Sequence, residues 1–388
     1  MSFEMPELTT ILALGADLKG AFAIAQDDSS EPARLFGPFG DLSEERNFDR
    51  WVGEIERRLD GRIPAIVVVD RHPLYHSRLW GRRFAEKVGA RLLEVQHHFA
   101  HSLVPLEEAG YEGEKKREEG RKGESRLQPP FLGLIMDGTG YGLDGTIWGC
   151  EVLFVGKSIS FERLGHLFPV TCPGGDAAAR EPWRMAVSWA RAAGIKKEEL
   201  QDLAARIPAP FFDGVWNLAG TGRPLTTSAG RAFDAAAAFL DFALSTEGEA
   251  EAARSLQNAA DGVETGERLS FSVEGKCLDL RPTFREMFEK KTRGSKQASL
   301  ARAFHDALAG GVVELVAANA PREAKDVVLG GGCFLNGILR ERIIGLLKER
   351  GFEVVVPRSG PSDISLPLGQ VAFARMAFRS QRWKNNVK

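Results

Sequence analysis

At 388 residues the chain is too long for one ordinary core and about right for two lobes. Its 51 basic and 53 acidic side chains nearly cancel, to a net charge of −2, which gives no argument for a nucleic-acid or anionic-membrane partner. No apolar run approaches the roughly 20 residues that span a bilayer, and residues 1–10 carry acids and a proline where a signal peptide would carry basic and then apolar residues.

In chain order, residues 9–16 (TTILALGA) read as a buried strand, with a turn at Asp17, Lys19 and Gly20 and a returning strand over residues 21–26. Residues 63–70 (IPAIVVVD) form a short apolar run ending in an acid, the mark of a strand in a covered sheet. A helix over 79–88, a strand over 91–95 and a helix from His97 to about residue 109 follow. Residues 111–128 are charged, contain glycine and have no apolar face, which reads as a solvated loop or lobe linker. The glutamates among its lysines and arginines argue against a nucleic-acid contact.

The opening pattern then returns. Residues 131–136 (FLGLIM) read as a strand, DGTGYGLDG as a glycine-rich turn and 146–155 as the returning strand, a weak repeat of the kind two related lobes would leave. Residues 177–319 are mainly helical in pattern. A strand over 326–329 leads through GGGCFLN into a helix over 337–350, then a strand over 352–357 and a last helix over about 368–382. The expected organisation is an N-terminal lobe over 1–128, a nucleotide-binding lobe over 129–366, and a terminal helix over 367–388 packing back on the first lobe.

Several positions carry candidate chemistry. His97 and His101 stand four apart at a helix start, so both imidazoles share one face and can share a metal; the alternative is a cap or surface role. His98 lies about 100° round the helix and reads as packing or as support for the other two. Asp137 ends a strand, where an acid can hold a metal, and is followed by glycines that let backbone N–H groups approach a phosphate; the alternative is a tight hairpin with no ligand. Gly330, Gly331 and Gly332 between strand and helix could bring backbone close to a nucleotide, with Asn336 as a polar contact, although ordinary α/β turns use the same cluster. Asp176 after two glycines could bond ribose hydroxyls. Gly230 and Asp234 share a helix face, where the glycine leaves room for a flat or sugar group beside the acid; helix packing and a solvated acid would explain them as well. Asp363 by itself is an ordinary turn acid. The cysteines, Cys150, Cys172, Cys277 and Cys333, are scattered without a Cys-x-x-Cys pair, so neither a zinc ribbon nor a disulfide framework is indicated and a reducing cytoplasm fits best.

Taken in order, LALGADLK, VVDRHPLY, VQHHFAH, MDGTGYGLDGTIWG, RLGHLFPV, PGGDAAAREPWRMA, TTSAGRAFDAAAAF, GGGCFLN and PSD…LGQ cover nearly the whole chain. Together they resemble the C-terminal, Kae1-like carbamoyltransferase domain of the hydrogenase maturation factor HypF. The resemblance implies an α/β, two-lobed, actin-like ATPase (ASKHA) fold, each lobe on a ribonuclease-H-like sheet. It implies one transition-metal ion, Fe or Zn, held by His97, His101, Asp137 and Asp363. It places the adenosine and ribose of ATP, AMP or carbamoyl-adenylate against Gly175, Asp176, Gly230, Asp234, Gly331, Gly332 and Asn336, with Thr139 and Gly140 facing the phosphate.

The activity implied is transfer of a carbamoyl group from carbamoyl-adenylate to the C-terminal cysteine of a HypE-like partner, the source of the hydrogenase cyanide ligand. In the family an acylphosphatase domain, zinc-finger motifs and a YrdC-like domain precede this one. Here the first strand is expected within ten or so residues of Met1, so a separate YrdC-like protein is expected to form the adenylate. Ser362, Ile364 and Ser365 around Asp363 depart from the family's Asn-Asp-Gly-Gly, and Cys150 and Leu335 replace a usual Gly and Gln. Transfer to a small-molecule hydroxyl and a non-catalytic nucleotide-binding scaffold are the other readings.

Overall fold

The computed structural model describes residues 9–26, 31–118, 127–158 and 160–386. Residues 1–8 and 119–126, on which the reading of the N-terminus and part of the charged linker falls, lie outside the described residues.

Two sheets organise the chain. The first contains β1 (Thr10–Ala13), β2 (Phe22–Gln26), β3 (Arg34–Phe36), β4 (Ile66–Asp70) and β5 (Arg91–Val95), in the order β3-β2-β1-β4-β5. The hairpin strands β1 to β3 are antiparallel, and β4 and β5 run parallel to β1. The second sheet contains β6 (Phe131–Tyr141), β7 (Ile147–Val155), β8 (Phe161–Leu167), β9 (Val170–Thr171), β10 (Leu225–Thr226), β11 (Ser272–Glu274), β12 (Cys277–Asp279), β13 (Asp326–Gly330) and β14 (Glu353–Val355). Its central order, β8-β7-β6-β13-β14, repeats that of the first sheet: an antiparallel meander, then two parallel strands. The two hairpins seen in the sequence therefore begin two copies of one topology. This is the two-lobed actin-like α/β fold.

The apolar runs of β1 and β4 reflect burial on both faces, as parallel strands covered by helices require. Ile11, Ala13, Ile66 and Val68 point to one core, and Leu12, Leu14, Val67 and Val69 to another beneath α1 (Glu45–Leu59) and α2 (His76–Val88). The first of these cores also takes Phe131, Val155 and Val328 from the second sheet, so the lobes share packed side chains. Between them runs α3 (His97–Glu118), whose first two turns are buried all round. The C-terminal helix Leu366–Asn386 crosses it so closely that a Cβ on Gly369 would stand 1.9 Å from the Ala100 carbonyl oxygen. Only glycine permits that crossing.

Several element boundaries differ from the sequence reading: β6 runs on to Tyr141 through residues read as a turn, and three helix ends move for identifiable reasons. The helix α2 begins at His76, ahead of residue 79, because the distant Asp17 carboxylate accepts from His76 N (2.6 Å) and Ser77 N (3.0 Å), a cap that local sequence does not show. The helix α3 continues to Glu118, into the stretch read as loop, since its Glu, Lys and Arg are good helix formers. The C-terminal helix starts at Leu366 because Pro367 falls in its first turn, where no N–H is needed. Among the described residues no helix is long and apolar enough to cross a membrane.

Candidate metal and nucleotide site

Strand β4 ends on Asp70, and α3 begins two residues beyond the end of the neighbouring β5. That places Asp70 Oδ2 2.8 Å from His97 Nδ1, both groups buried to about 1% exposure. A carboxylate on Nδ1 fixes the imidazole so that Nε2 points away from it, the arrangement that orients metal-binding histidines. One turn on, His101 aims its own Nε2 at the same point.

Asp137 reaches that point through an irregularity in β6. Its register with β7 shifts between Met136 and Gly140, a bulge of the kind that re-aims a side chain. Asp137 Oδ1 accepts from Gly138 N (2.8 Å) and Gly332 N (3.2 Å), which leaves Oδ2 to face the histidines. Gly331 has φ +99°, and a Cβ there would stand 2.3 Å from Met136 O, so this turn can lie against β6 only as glycine.

Asp363 arrives from 262 residues away. Its loop is held from both ends. Glu108 on α3 accepts from Arg358 N (3.0 Å) and Ser359 N (2.9 Å), and Gly331 N donates to Pro361 O (2.7 Å). Ser365 Oγ lies 2.7 Å from Gly360 O and 2.8 Å from Ser362 O. The serines that depart from the family pattern thus close the loop with their own hydrogen bonds.

One donor atom from each of His97, His101, Asp137 and Asp363 lies within 4.8 Å of the others. Donors on a tetrahedral cation with bonds of about 2.0–2.2 Å stand roughly 3.3–3.6 Å apart. The separations here are 3.1 Å (His101 Nε2 to Asp363 Oδ1), 3.3 and 3.4 Å (His97 Nε2 to Asp137 Oδ2 and Asp363 Oδ1) and 3.7 Å (His101 Nε2 to Asp137 Oδ2). Two imidazoles and two carboxylates suit Fe or Zn better than Mg. The donor set therefore fits such a cation. Burial opposes charge on His97, but Asp363, Asp137 and Asp70 outweigh it and hold the imidazole well above its usual range. Burial likewise opposes charge on Asp363, and His97 and His101 outweigh it and lower the carboxyl. The carboxylates that favour positive charge on His97 would favour a cation at the same point.

The remaining candidate positions surround this centre unevenly. Thr139 is exposed at the end of β6. Gly140 packs on His98, where a Cβ would stand 2.2 Å from Cε1. Gly230 packs on the turn, with a Cβ 2.7 Å from Gly138 Cα. Ser228 ties the same helix to the turn: its hydroxyl lies 2.9 Å from Asp137 O and 2.6 Å from Gly138 O while accepting from Arg231 N. Asp234 is buried, and burial pushes its carboxyl up to about 6 although the Arg231 guanidinium is 2.8 Å away. The two ions are close without the alignment of a hydrogen bond. Gly175 has φ +57° with open space beside it, and Asp176 is exposed. Asn336 is occupied at both ends of its amide, accepting from Leu339 N (3.1 Å) and lying 2.9 Å from His305 Nε2.

Sequence reasoning did not assign Asp70 or Gln370. Asp70 was visible as an acid closing an apolar strand, but its partner was not. Gln370 clamps the positive-φ Gly15, accepting from its N–H (2.8 Å) and donating to its carbonyl (3.2 Å). All four cysteines are free, and burial raises the thiols of Cys150, Cys172 and Cys333. Such thiols are poor nucleophiles.

A sheet of the same order in each lobe, with two histidines and two aspartates converging on one point, defines a two-lobed actin-like protein with a candidate metal centre. Residues 6–108 match the family model described as the HypF Kae1-like domain, and residues 133–370 match its carbamoyltransferase second subdomain. The chain belongs to the carbamoyltransferase HypF family. It is 34% identical to a carbamoyltransferase HypF homolog of Cupriavidus necator over 94% of this chain and 91% of that protein. It is 33% identical to carbamoyltransferase HypF of Rhizobium leguminosarum bv. viciae over 96% of this chain but 46% of that one. A crystal structure of full-length HypF in the phosphate- and nucleotide-bound form is similar with a TM-score of 0.81 at 25% identity, covering 95% of this chain and 46% of that one.

Proposed function

We propose that this chain transfers a carbamoyl group from carbamoyl-adenylate to the C-terminal cysteine of a HypE-like partner, in the cytoplasm, as a step in making the cyanide ligand of [NiFe]-hydrogenase. The sulfur attacks the carbamoyl carbon. A C–S bond forms, the C–O bond to the adenylate phosphate breaks, AMP leaves with the electron pair and the thiol proton passes to solvent. The observation that carries the reading is the four-donor cluster of His97, His101, Asp137 and Asp363. When bound there, Fe or Zn would supply Lewis acidity beside the mixed anhydride.

The chain's own residues would do the positioning. Thr139 and Gly140 would face the phosphate at the turn that Ser228 stitches down. Gly175 and Asp176, with Gly331 and Gly332, would take the nucleoside across the cleft. Gly230, Asp234 and Asn336 would shape that cleft from behind, since each is packed or paired within the protein. Holding acceptor and donor in line removes much of the entropic barrier without a covalent enzyme intermediate. The chain spans about half the length of most of the curated relatives it matches, and the adenylate would come from a YrdC-like protein.

The test supplies purified protein with carbamoyl-adenylate and a HypE-like acceptor and follows AMP release and acceptor mass. The expected result is stoichiometric S-carbamoylation, lost in His101→Ala together with the bound metal. Release no faster than in that variant would overturn the reading.

A further inference from the structure

Beside the centre lies a second group of buried polar side chains. His98 and Glu151 are both fully buried, and their facing atoms, Nε2 and Oε2, are 3.9 Å apart with no hydrogen-bond partner among the described residues. Buried polar atoms left this way carry a cost and call for a reason.

The surroundings fix the ring. Gln96 Oε1 accepts from Phe99 N (2.8 Å), so its NH2 end is the one that meets His98 Nδ1 (3.3 Å) and Tyr141 O (3.2 Å). An amide N–H donating to Nδ1 puts the imidazole proton on Nε2, aimed at Glu151. Glu151 in turn is held through Oε1 by Thr227 Oγ1 (2.5 Å) and Arg163 Nη2 (2.9 Å), and Arg163 lies over the Trp148 ring at 4.2 Å. Gly140 rests on the ring so held: a Cβ there would lie 2.2 Å from Cε1 and 2.9 Å from both ring nitrogens. A turn touching a flexible side chain could push it aside. This ring has nowhere to go.

We propose that His98 is a positioning residue: wedged beneath Gly140 and oriented between Gln96 and Glu151, it sets the backbone path of the turn 138–141 and thereby the affinity for nucleotide phosphates. The inference rests on the assignment of that turn to the nucleotide. It explains why β6 leaves register with β7 where it does, between Met136 and Gly140. It also gives a reason for the convergence of Gln96, Arg163 and Thr227 on a histidine and glutamate pair that meets the candidate donor His97 ring to ring, at 5.5 Å between centroids.

A size exchange tests it. ATP affinity is measured by calorimetry, with bound metal and Tm, for wild type, Gly140→Ala, His98→Ser and the double variant. Gly140→Ala should weaken ATP binding roughly tenfold in the wild-type background and by less than about twofold beside His98→Ser, because contacting residues are not additive. Metal content should stay that of wild type in all four. Equal losses in both backgrounds, or none in either, would overturn the positioning role. Should Gly140→Ala fail to fold, Glu151→Gln decides: with its amide turned toward Nε2–H it should weaken ATP binding severalfold at unchanged metal content, and wild-type affinity would count against the proposal. A wild-type protein that binds no ATP would instead remove the functional reading, and this inference with it.

Discussion

Asp17 and Asp137 occupy equivalent places in sheets of the same order. Ala13 is opposite Val68 in the first sheet and Gly133 opposite Val328 in the second, and each acid follows four residues later. Yet Asp17 caps α2, taking His76 N, Ser77 N and Ser77 Oγ, whereas Asp137 turns one oxygen into the histidine cluster. The neighbouring parallel strands differ in the complementary way. Strand β4 ends on Asp70, which holds His97, while β13 ends on Gly330, where a Cβ would press 3.1 Å from His101 Cβ. One lobe supplies an acid to orient a donor and the other supplies empty space to admit one. Duplicated backbone thus fixes where an acid stands, and what lies opposite decides its role.

Substitutions can break this division at each acid in turn. The largest effect is expected at Asp137→Asn, which removes charge from the donor set: elemental analysis should find the metal lost, and AMP release should fall by more than the roughly 10–100-fold typical of changes one shell further out. Next is Asp70→Asn, where every donor remains but His97 loses its orienting carboxylate. Competition with a chelator should show metal affinity lower by roughly 10–100-fold with the fold intact. Smallest at the centre is Asp17→Ala, expected to leave metal content unchanged and to cost about 1–2 kcal/mol of stability through the lost cap, read from denaturant midpoints. Should Asp17→Ala release the metal, the two acids would share a role and the comparison would fail.

The same contrast shows what the sequence discloses. Repeated strand–turn–strand patterns reveal two lobes because alternation and turn chemistry are local. The four-residue spacing of His97 and His101 is local too, and it places both rings on one face whatever surrounds them. Asp363 has no such signal. Its role depends on a loop fixed by Glu108 and Gly331, partners that only the fold brings near. Gly140 and Gly230 read from sequence as space for a ligand, and in the fold each also admits a piece of the protein itself, His98 in one case and Gly138 in the other. A glycine records that something comes close without recording what.

The crossing of Gly369 over Ala100 bears on how the molecule comes into being. Both histidines are made well before the last carboxylate, which lies 262 residues beyond His101, and before the helix that presses α3 into its seat. A nascent or prematurely terminated product would carry its imidazoles with nothing to close around them. A cation held by all four side chains would therefore have to wait until Asp363 and the helix Leu366–Asn386 have been made and docked.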